Sequence, residues 1–176
     1  MTPVPIDKLK IVVYPNPSLR KRCRAIEQFN GELADLAAKM LALMHEANGV
    51  GLAAPQVGLP LRMFVCNPTG QPQDDQVWVN PVLCDLEGAA EAEEGCLSLP
   101  NVNVVKRRAL NAVIEGFDPH GQGKRAAASE LLARVWQHES DHLDGVLIID
   151  NMPQTAELVN RRILRQLEAD YAAAKR

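Results

Sequence analysis

The residues best suited to chemistry form the segment His138-Glu139-Ser140-Asp141-His142. Side chains four positions apart lie on one face of a helix, one turn apart, so the imidazoles of His138 and His142 can bind the same metal ion. Glu139 is turned by about 100° from His138 and can reach a water molecule on that ion without being a ligand. The same face is otherwise apolar, and two imidazoles buried there would be costly without a common partner. The spacing therefore predicts a metal site with an acid–base group beside it.

Two positions are candidates for the third ligand. A metzincin pattern would need a histidine three residues after Gly145, and position 148 is an isoleucine. A thermolysin-like site would take a carboxylate further along the chain, and Glu157 is the candidate. The other candidate is Cys96, which we expect in a fixed, irregular loop because a glycine precedes it and a proline follows soon after. The spacing alone leaves both open.

Three helices are predicted, and the second must position the motif. It runs over residues 129–144, with Ser129 as N-cap and Gly145 past its end. A first helix over residues 30–48 is indicated by apolar residues at i, i+3 and i+4 spacing, by Asn30 as N-cap and by a stop at Gly49. A third helix covers residues 153–171.

Short strands are predicted between and before these helices. They cover residues 9–14, 61–66, 77–86 with an interruption at Asn80-Pro81, 102–105 and 112–117. Residues 67–76 are typical of a hairpin loop, and residues 118–121 of a turn. The elements predict an α+β fold, with antiparallel or mixed β-sheets packed around a central metal-binding helix and a further helix toward each terminus.

Composition limits the classes of function. The 176 residues are 47% hydrophobic and 23% charged with a net charge of −3, which is typical of one globular domain over residues 1–176. No basic excess is available to bind a phosphate backbone, and no apolar run approaches the roughly 20 residues that span a bilayer. The N-terminal residues lack a signal-peptide pattern. We therefore expect a cytoplasmic protein that binds neither DNA nor membranes, with its four cysteines as free thiols.

Three motifs resemble those of the peptide deformylase family and occur in the family's order. They are Gly49-Val50-Gly51-Leu52-Ala53-Ala54-Pro55-Gln56-Val57-Gly58, Glu94-Gly95-Cys96-Leu97-Ser98 and Gln137-His138-Glu139-Ser140-Asp141-His142-Leu143-Asp144-Gly145. Weaker similarity covers residues 15–20, 79–81, 105–107 and 145–150. The three motifs together are highly specific for that family.

The resemblance implies a single deformylase-like catalytic domain that holds one divalent metal ion through Cys96, His138 and His142. In the cell the ion is commonly Fe(II), and Zn(II), Ni(II) or Co(II) can occupy the site. The implied reaction removes the N-formyl group from the N-terminal formylmethionine of new polypeptides and releases formate. A hydroxide on the metal would attack the formyl carbon, with Glu139 as general acid and base.

The resemblance also assigns the surrounding groups. The Gln56 side chain and the Leu97 backbone N–H would stabilise the oxyanion. The substrate backbone would pair with Val50-Gly51 as an added strand, where glycine lets a peptide approach closely. Candidates for an apolar pocket that receives the methionine side chain are Val50, Leu52, Leu131 and Val135.

The sequence departs from the family pattern at two positions, and its last predicted helix carries a basic patch. Asn101 stands where a glycine is frequent in the family, which could alter a loop at the cleft rim, and Arg134 could change side-chain preference at the pocket wall. A patch on the last helix, formed by Arg161, Arg162 and Arg165, raises the hypothesis of a contact with the ribosome.

Two competing hypotheses remain at this stage. The first is a metallopeptidase of the H-E-x-x-H type with Glu157 as third ligand. The second is a binding protein that kept its metal and lost turnover, which the intact Glu139 and Gln56 argue against. Replacement of Cys96 by alanine separates the first from a deformylase, because the peptidase would keep its metal.

Overall fold

Among the residues that the structure describes, three α-helices and seven β-strands surround the HExxH segment. The structure is a computed structural model that describes residues 5–175. The helices are α1 (Gly31–Glu46), α2 (Glu130–Leu143) and α3 (Gln154–Ala173). The strands are β1 (Gly51–Ala53), β2 (Met63–Cys66), β3 (Gln76–Glu87), β4 (Ala90–Cys96), β5 (Leu99–Arg108), β6 (Asn111–Phe117) and β7 (Gly123–Ser129).

The strands form two antiparallel sheets that meet at α2. Five strands form one sheet in the order β1-β2-β3-β6-β7, and β4 pairs with β5 as a separate hairpin. Helix α2 contacts every strand of the larger sheet, whereas α1 packs on β1 and β2, and α3 on β5. The predicted α+β architecture around a central helix is thus confirmed, with antiparallel pairing throughout the strands described.

Apolar packing on α2 explains why this helix is central. Its Trp136 is fully buried and meets Trp78 of β3 edge-on, with ring centroids 5.7 Å apart. Ala133, Val135 and Leu143 join the same apolar cluster. Burial of a valine or leucine side chain contributes about 1.5–3 kcal/mol, so this packing holds the helix that carries the histidines firmly on the sheet.

The helix predictions are confirmed, with local differences at their ends. Asn30 caps α1 as expected, because its Oδ1 accepts the Leu33 N–H at 3.1 Å. The left-handed residue that ends the helix is Asn48, with φ of 53°, and the following Gly49 N–H donates to the Met44 carbonyl at 2.9 Å. Ser129 precedes α2 as predicted, but within residues 5–175 its side chain makes no capping hydrogen bond.

The strand predictions were less complete. Residues 9–14 do not form a strand; their extended backbone instead donates to the carbonyls of Gln56 and Ser98. Cys96, expected in an irregular loop, is instead the last residue of β4, and no strand was predicted over residues 90–96. The one buried side chain of this strand is the charged Glu94, so the strand lacks the apolar alternation from which a strand is predicted. Strands β1 and β7 were also missed, since three residues and an alanine-rich run carry little strand propensity.

Two irregularities were predicted correctly. Residues 67–75 connect β2 to β3 as a hairpin, in which Cys66 pairs with Gln76. The register of β3 against β6 shifts between Val79 and Val82, where Asn80 takes a left-handed φ of 50°. Among residues 5–175, neither α1, α2 nor α3 combines the length and the apolar character that a bilayer span requires.

Candidate metal centre

Helix α2 and strand β4 bring three metal-binding side chains together. His138 and His142 lie one turn apart on α2, and Cys96 ends β4. The Cys96 Sγ lies 3.3 Å from His142 Nε2, and one ligand atom from each residue lies within 4.8 Å of the other two. Bonds of about 2.3 Å to sulfur and 2.0–2.1 Å to nitrogen in tetrahedral geometry separate ligand atoms by roughly 3.5 Å. The three side chains therefore fit a single divalent ion and leave a fourth position for water.

Glu157 does not join this cluster. It is exposed in the first turn of α3, and the group of ligands found among residues 5–175 contains Cys96 instead. Cys96 reaches α2 because the β4–β5 register shifts between Glu94 and Cys96, after which the chain turns back at once and Cys96 pairs with Leu99. The geometry thus favours the thiol over the carboxylate as the third ligand.

A buried carboxylate holds the outer side of His138. The Nδ1 of His138 donates to Glu94 Oε2 at 3.1 Å, which leaves its Nε2 for the metal. Arg108 donates to both oxygens of Glu94, at 2.9 Å each, and its third nitrogen reaches Asp141 on α2. Arg134 adds a further contact to Glu94 Oε1 at 2.7 Å. Such partners fix the orientation and tautomer of a ligating histidine.

Burial and hydrogen bonding shift the titration of these groups. Burial opposes ionisation of Glu94, but hydrogen bonds from His138 and Arg108 hold the pKa of this carboxyl well below its usual range. Burial and the neighbouring His138 keep the pKa of His142 low, so its imidazole is neutral, as a metal ligand must be. Burial raises the pKa of Glu139 to about 7, which suits a group that both accepts and donates a proton.

Glu139 lies inside the fold and not on a solvated helix face. It is 3% exposed, and its carboxylate packs against Gly51 of β1. Within the described chain its Oε2 has no hydrogen-bond partner. A buried carboxylate with a free acceptor costs stability unless another molecule supplies the partner. The arrangement leaves one oxygen ready for a water or a substrate group.

The amide of Gln56 is oriented by its surroundings. Its Oε1 accepts the Ala53 N–H at 2.7 Å, which fixes the amide so that Nε2 points the other way. That Nε2 donates to Ser98 Oγ at 3.2 Å and lies 3.5 Å from Cys96 Sγ. Leu97 follows Cys96 directly, in the turn between β4 and β5. Both groups are therefore placed at the metal-ligand cluster.

A cavity of about 360 Å³ opens in front of this cluster. Its lining includes Val50, Gly51, Leu131 and Val135, together with Gln56, Cys96, Leu97, His138 and Glu139. Leu52, predicted as a pocket residue, lies instead in the core under α1 with no exposed surface. The physical reason is strand alternation: consecutive residues of β1 point to opposite faces, so Leu52 points away from the side on which Gly51 faces α2.

Sequence and structure comparisons agree with this geometry. The family model for polypeptide deformylase matches residues 8–157. A peptide deformylase of Thermodesulfovibrio yellowstonii is 42% identical over 157 residues, which cover 88% of this chain and 95% of the relative. The chain belongs to the polypeptide deformylase family.

Solved deformylases share the whole architecture. The peptide deformylase of Plasmodium falciparum superposes with a TM-score of 0.89 at 33% identity, covering 93% of this chain and 98% of that one. The Thermus thermophilus deformylase gives a TM-score of 0.86 at 39% identity, covering 92% and 98%. The family predicted from the three motifs is thus confirmed. As a deformylase the chain is an enzyme, a hydrolase of protein biosynthesis with a Cys-His-His group that can bind metal.

The three sequence motifs do not indicate which residues of this deformylase hold Glu94. Arg108 stands outside all three motifs, and Arg134 was expected to change pocket preference. Arg134 lines the cavity, and its guanidinium also donates to Glu94, to the Lys106 carbonyl at 2.9 Å and to the Ala90 carbonyl at 2.7 Å. Only the position of a charged residue one turn before His138 could have suggested this role.

Proposed function

We propose that this member of the deformylase family removes the N-formyl group from the N-terminal formylmethionine of newly made polypeptides and releases formate. The ion would be held by Cys96, His138 and His142. The observation that carries the proposal is the approach of the three ligand atoms to within 4.8 Å of one another beside the buried Glu139.

Hydrolysis of the formyl amide needs a nucleophile and a proton for the departing amine. A divalent ion bound here would lower the pKa of a water molecule from about 15.7 toward neutrality and polarise the formyl oxygen. Glu139 accepts a proton from the attacking water and returns it to the amide nitrogen as the carbon–nitrogen bond breaks. The water oxygen ends in formate, and the peptide leaves with a free amine. A pKa of about 7 allows Glu139 to act in both directions.

Two donors would stabilise the negative charge that develops on the formyl oxygen. The Nε2 of Gln56 is aimed toward the cluster because Ala53 fixes the opposite end of the amide. The backbone N–H of Leu97 follows the ligand Cys96. Each such donor typically contributes about 3 kcal/mol to transition-state stabilisation.

Strand β1 offers a place for the substrate backbone. It is the outermost strand of the five-stranded sheet as described, so a peptide could add along its free edge at Val50 and Gly51. Val50 and Leu131 are 42% and 51% exposed at the cavity, and Val135 lies deeper at 4%. These apolar side chains would receive the methionine side chain, and Leu52 supports them from the core.

The ligand set favours a soft or borderline metal. One thiolate and two imidazoles suit Fe(II), Zn(II), Ni(II) and Co(II). We propose Fe(II) in the cell, and Zn(II), Ni(II) or Co(II) as alternatives in purified protein. The Cys96 thiolate would lower the Lewis acidity of the bound ion and would make an Fe(II) centre open to oxidation.

The decisive experiment measures formate release from formyl-Met-Ala by anaerobically purified protein, with metal analysis of the same sample. We expect about one equivalent of metal and steady turnover. Glu139→Ala should lower kcat by about 100-fold or more at unchanged metal content. Glu157→Ala is the matched control and should behave as the parent. Loss of metal in Glu157→Ala, or cleavage of internal peptide bonds, would favour the metallopeptidase instead.

We further propose cytoplasmic action and a contact with the ribosome through α3. Arg161, Arg162 and Arg165 line a groove together with Leu158 and Gln166, which gives the helix a local positive charge on an acidic protein. Cosedimentation with ribosomes should weaken steeply between low and high salt if phosphates are contacted. Unchanged cosedimentation after all three arginines are replaced by glutamine would exclude this contact.

A further inference from the structure

The backbone of Gly51 lies directly against the side chain of Glu139. A Cβ atom at position 51 would lie 2.7 Å from the Cδ and 2.9 Å from the Cγ of Glu139, and closer still to Oε1. Real Cβ atoms essentially never approach other heavy atoms below 3.0 Å. Glu139 is buried on α2, which packs directly on β1. The space in which a side chain of residue 51 would lie is therefore filled by the Glu139 side chain.

Other reasons for a glycine at position 51 are weaker. Gly51 is not among the glycines with left-handed φ, so the backbone conformation does not require it. Close approach of a substrate peptide does not explain it either, because the missing side chain would point at α2 and not outward along the free edge of β1. Gly49 differs: a Cβ there would meet the end of the Leu97 side chain, which is only half-buried and can move aside, whereas Glu139 is 3% exposed.

We infer that Gly51 is a positioning residue for Glu139: the missing side chain at position 51 lets the carboxylate lie against β1, where it faces the metal-ligand cluster. The inference rests on the proposed role of Glu139 as proton-transfer group. A methyl group at position 51 would displace the Glu139 carboxylate, because the buried helix α2 and the paired strand β1 have little freedom to separate. Misplacement of a reacting group by about 1 Å can cost on the order of 100-fold in rate.

The experiment compares Gly51→Ala with a matched control, Gly31→Ala. Gly31 is exposed at the start of α1, and among residues 5–175 nothing lies within 4 Å of a Cβ placed there. We expect Gly51→Ala to lower kcat on formyl-Met-Ala by about 100-fold, with KM and metal content unchanged. Calorimetric binding of the product peptide Met-Ala should also be unchanged. Gly31→Ala should match the parent in every measurement.

A double-mutant cycle locates the clash independently of activity. Gly51→Ala should lower the melting temperature in the parent, and it should lower it far less in the Glu139→Ala background, where the atoms that the new methyl meets are gone. Equal shifts in both backgrounds would overturn the inference. A raised KM with unchanged kcat would do so as well, because it would show that the glycine serves peptide approach. If Glu139→Ala itself left kcat unchanged, the proposed function of Glu139 would fail whatever Gly51→Ala does.

Discussion

The two walls of the cavity are built in opposite ways. The charged wall consists of Glu94, Arg134 and His138 at the cavity and of Arg108 behind them. These side chains are 5–12% exposed, and ion pairs and hydrogen bonds to Glu94 join them. The glycine wall is the segment 49–58, which is shaped by backbone hydrogen bonds, by apolar packing under α1 and by the missing side chains of its glycines.

The difference shows how one site meets two demands. Metal ligands must be held at fixed distances, and buried charge-assisted hydrogen bonds are strong and directional. The opposite wall must leave room for a peptide and for the carboxylate of Glu139, which small residues provide. Substitutions in the charged wall should therefore act on metal affinity and stability, and substitutions in the glycine wall on turnover.

Removal of the Cys96 thiol should have the largest effect on metal affinity and activity, because this thiol is one of the three proposed metal ligands. We expect Cys96→Ala to lower metal affinity by more than the roughly 100-fold that outer partners of a ligand contribute, and to abolish formate release. Cys84→Ala is the matched control, since this half-buried thiol lies on β3 outside the cavity lining described. Metal analysis after dialysis against a chelator measures both. Retention of metal by Cys96→Ala would show that the cluster is not the binding site.

Neutralising Glu94 should have the next largest effect. Glu94→Gln keeps the shape of the side chain but leaves Arg108 and Arg134 with a neutral partner, and breaking a buried ion pair in this way costs about 3–5 kcal/mol. The loss of orientation at His138 should lower metal affinity by about 10- to 100-fold. Chemical denaturation and chelator competition measure the two effects. Glu91→Gln, an exposed position on the same strand, is the control. If the Glu94→Gln protein were as stable as the parent and bound metal with the same affinity, the charged wall would not determine metal affinity and stability.

The elements with strong local signals were predictable from the sequence. Helix α1 has both an apolar period and an asparagine cap, and α2 has the HExxH spacing, so their ends were placed within a few residues. Strand β4 was not predictable, because its one buried side chain is the charged Glu94 and its order comes from pairing with β5. Pairing in this hairpin uses backbone groups, and it leaves no apolar periodicity along β4.

The same contrast holds within the site. The ligand spacing on α2 is local and could be interpreted directly, whereas Cys96 was left open against Glu157 until the motifs were compared. The pocket assignment of Leu52 did not hold because it depends on which face of a three-residue strand meets the core. The partners of Glu94 come from β5 and α2, and the sequence contains no spacing rule that joins them.

Arg134 offers a smaller test of the charged wall. Arg134→Met keeps an apolar stem at the cavity and removes the donors to Glu94 and to the Ala90 and Lys106 carbonyls. Buried acceptors left without donors cost about 1–3 kcal/mol, so the unfolding free energy should fall by that amount. The preference for formylmethionine should not change, because the guanidinium is turned onto β4 and β5. Arg107→Met, exposed on β5, should be neutral. Altered side-chain preference in Arg134→Met alone would show that this cavity-lining residue also selects the substrate side chain.

Substitution of Asn101 should have the smallest effect. It tests whether a left-handed backbone conformation near the cavity matters for stability or for peptide selectivity. Asn101 lies on β5 with φ of 62°, a left-handed conformation that glycine adopts freely and asparagine tolerates. Asn101→Gly should therefore change the unfolding free energy by less than about 0.5 kcal/mol, whereas Asn101→Ala should cost about 1 kcal/mol. Asn111→Ala, on β6 and outside the residues with positive φ, controls for loss of the amide. Equal costs for alanine at both positions would mean that the backbone at residue 101 relaxes, and a change in peptide selectivity on Asn101→Gly would mean that this residue shapes the cavity rim.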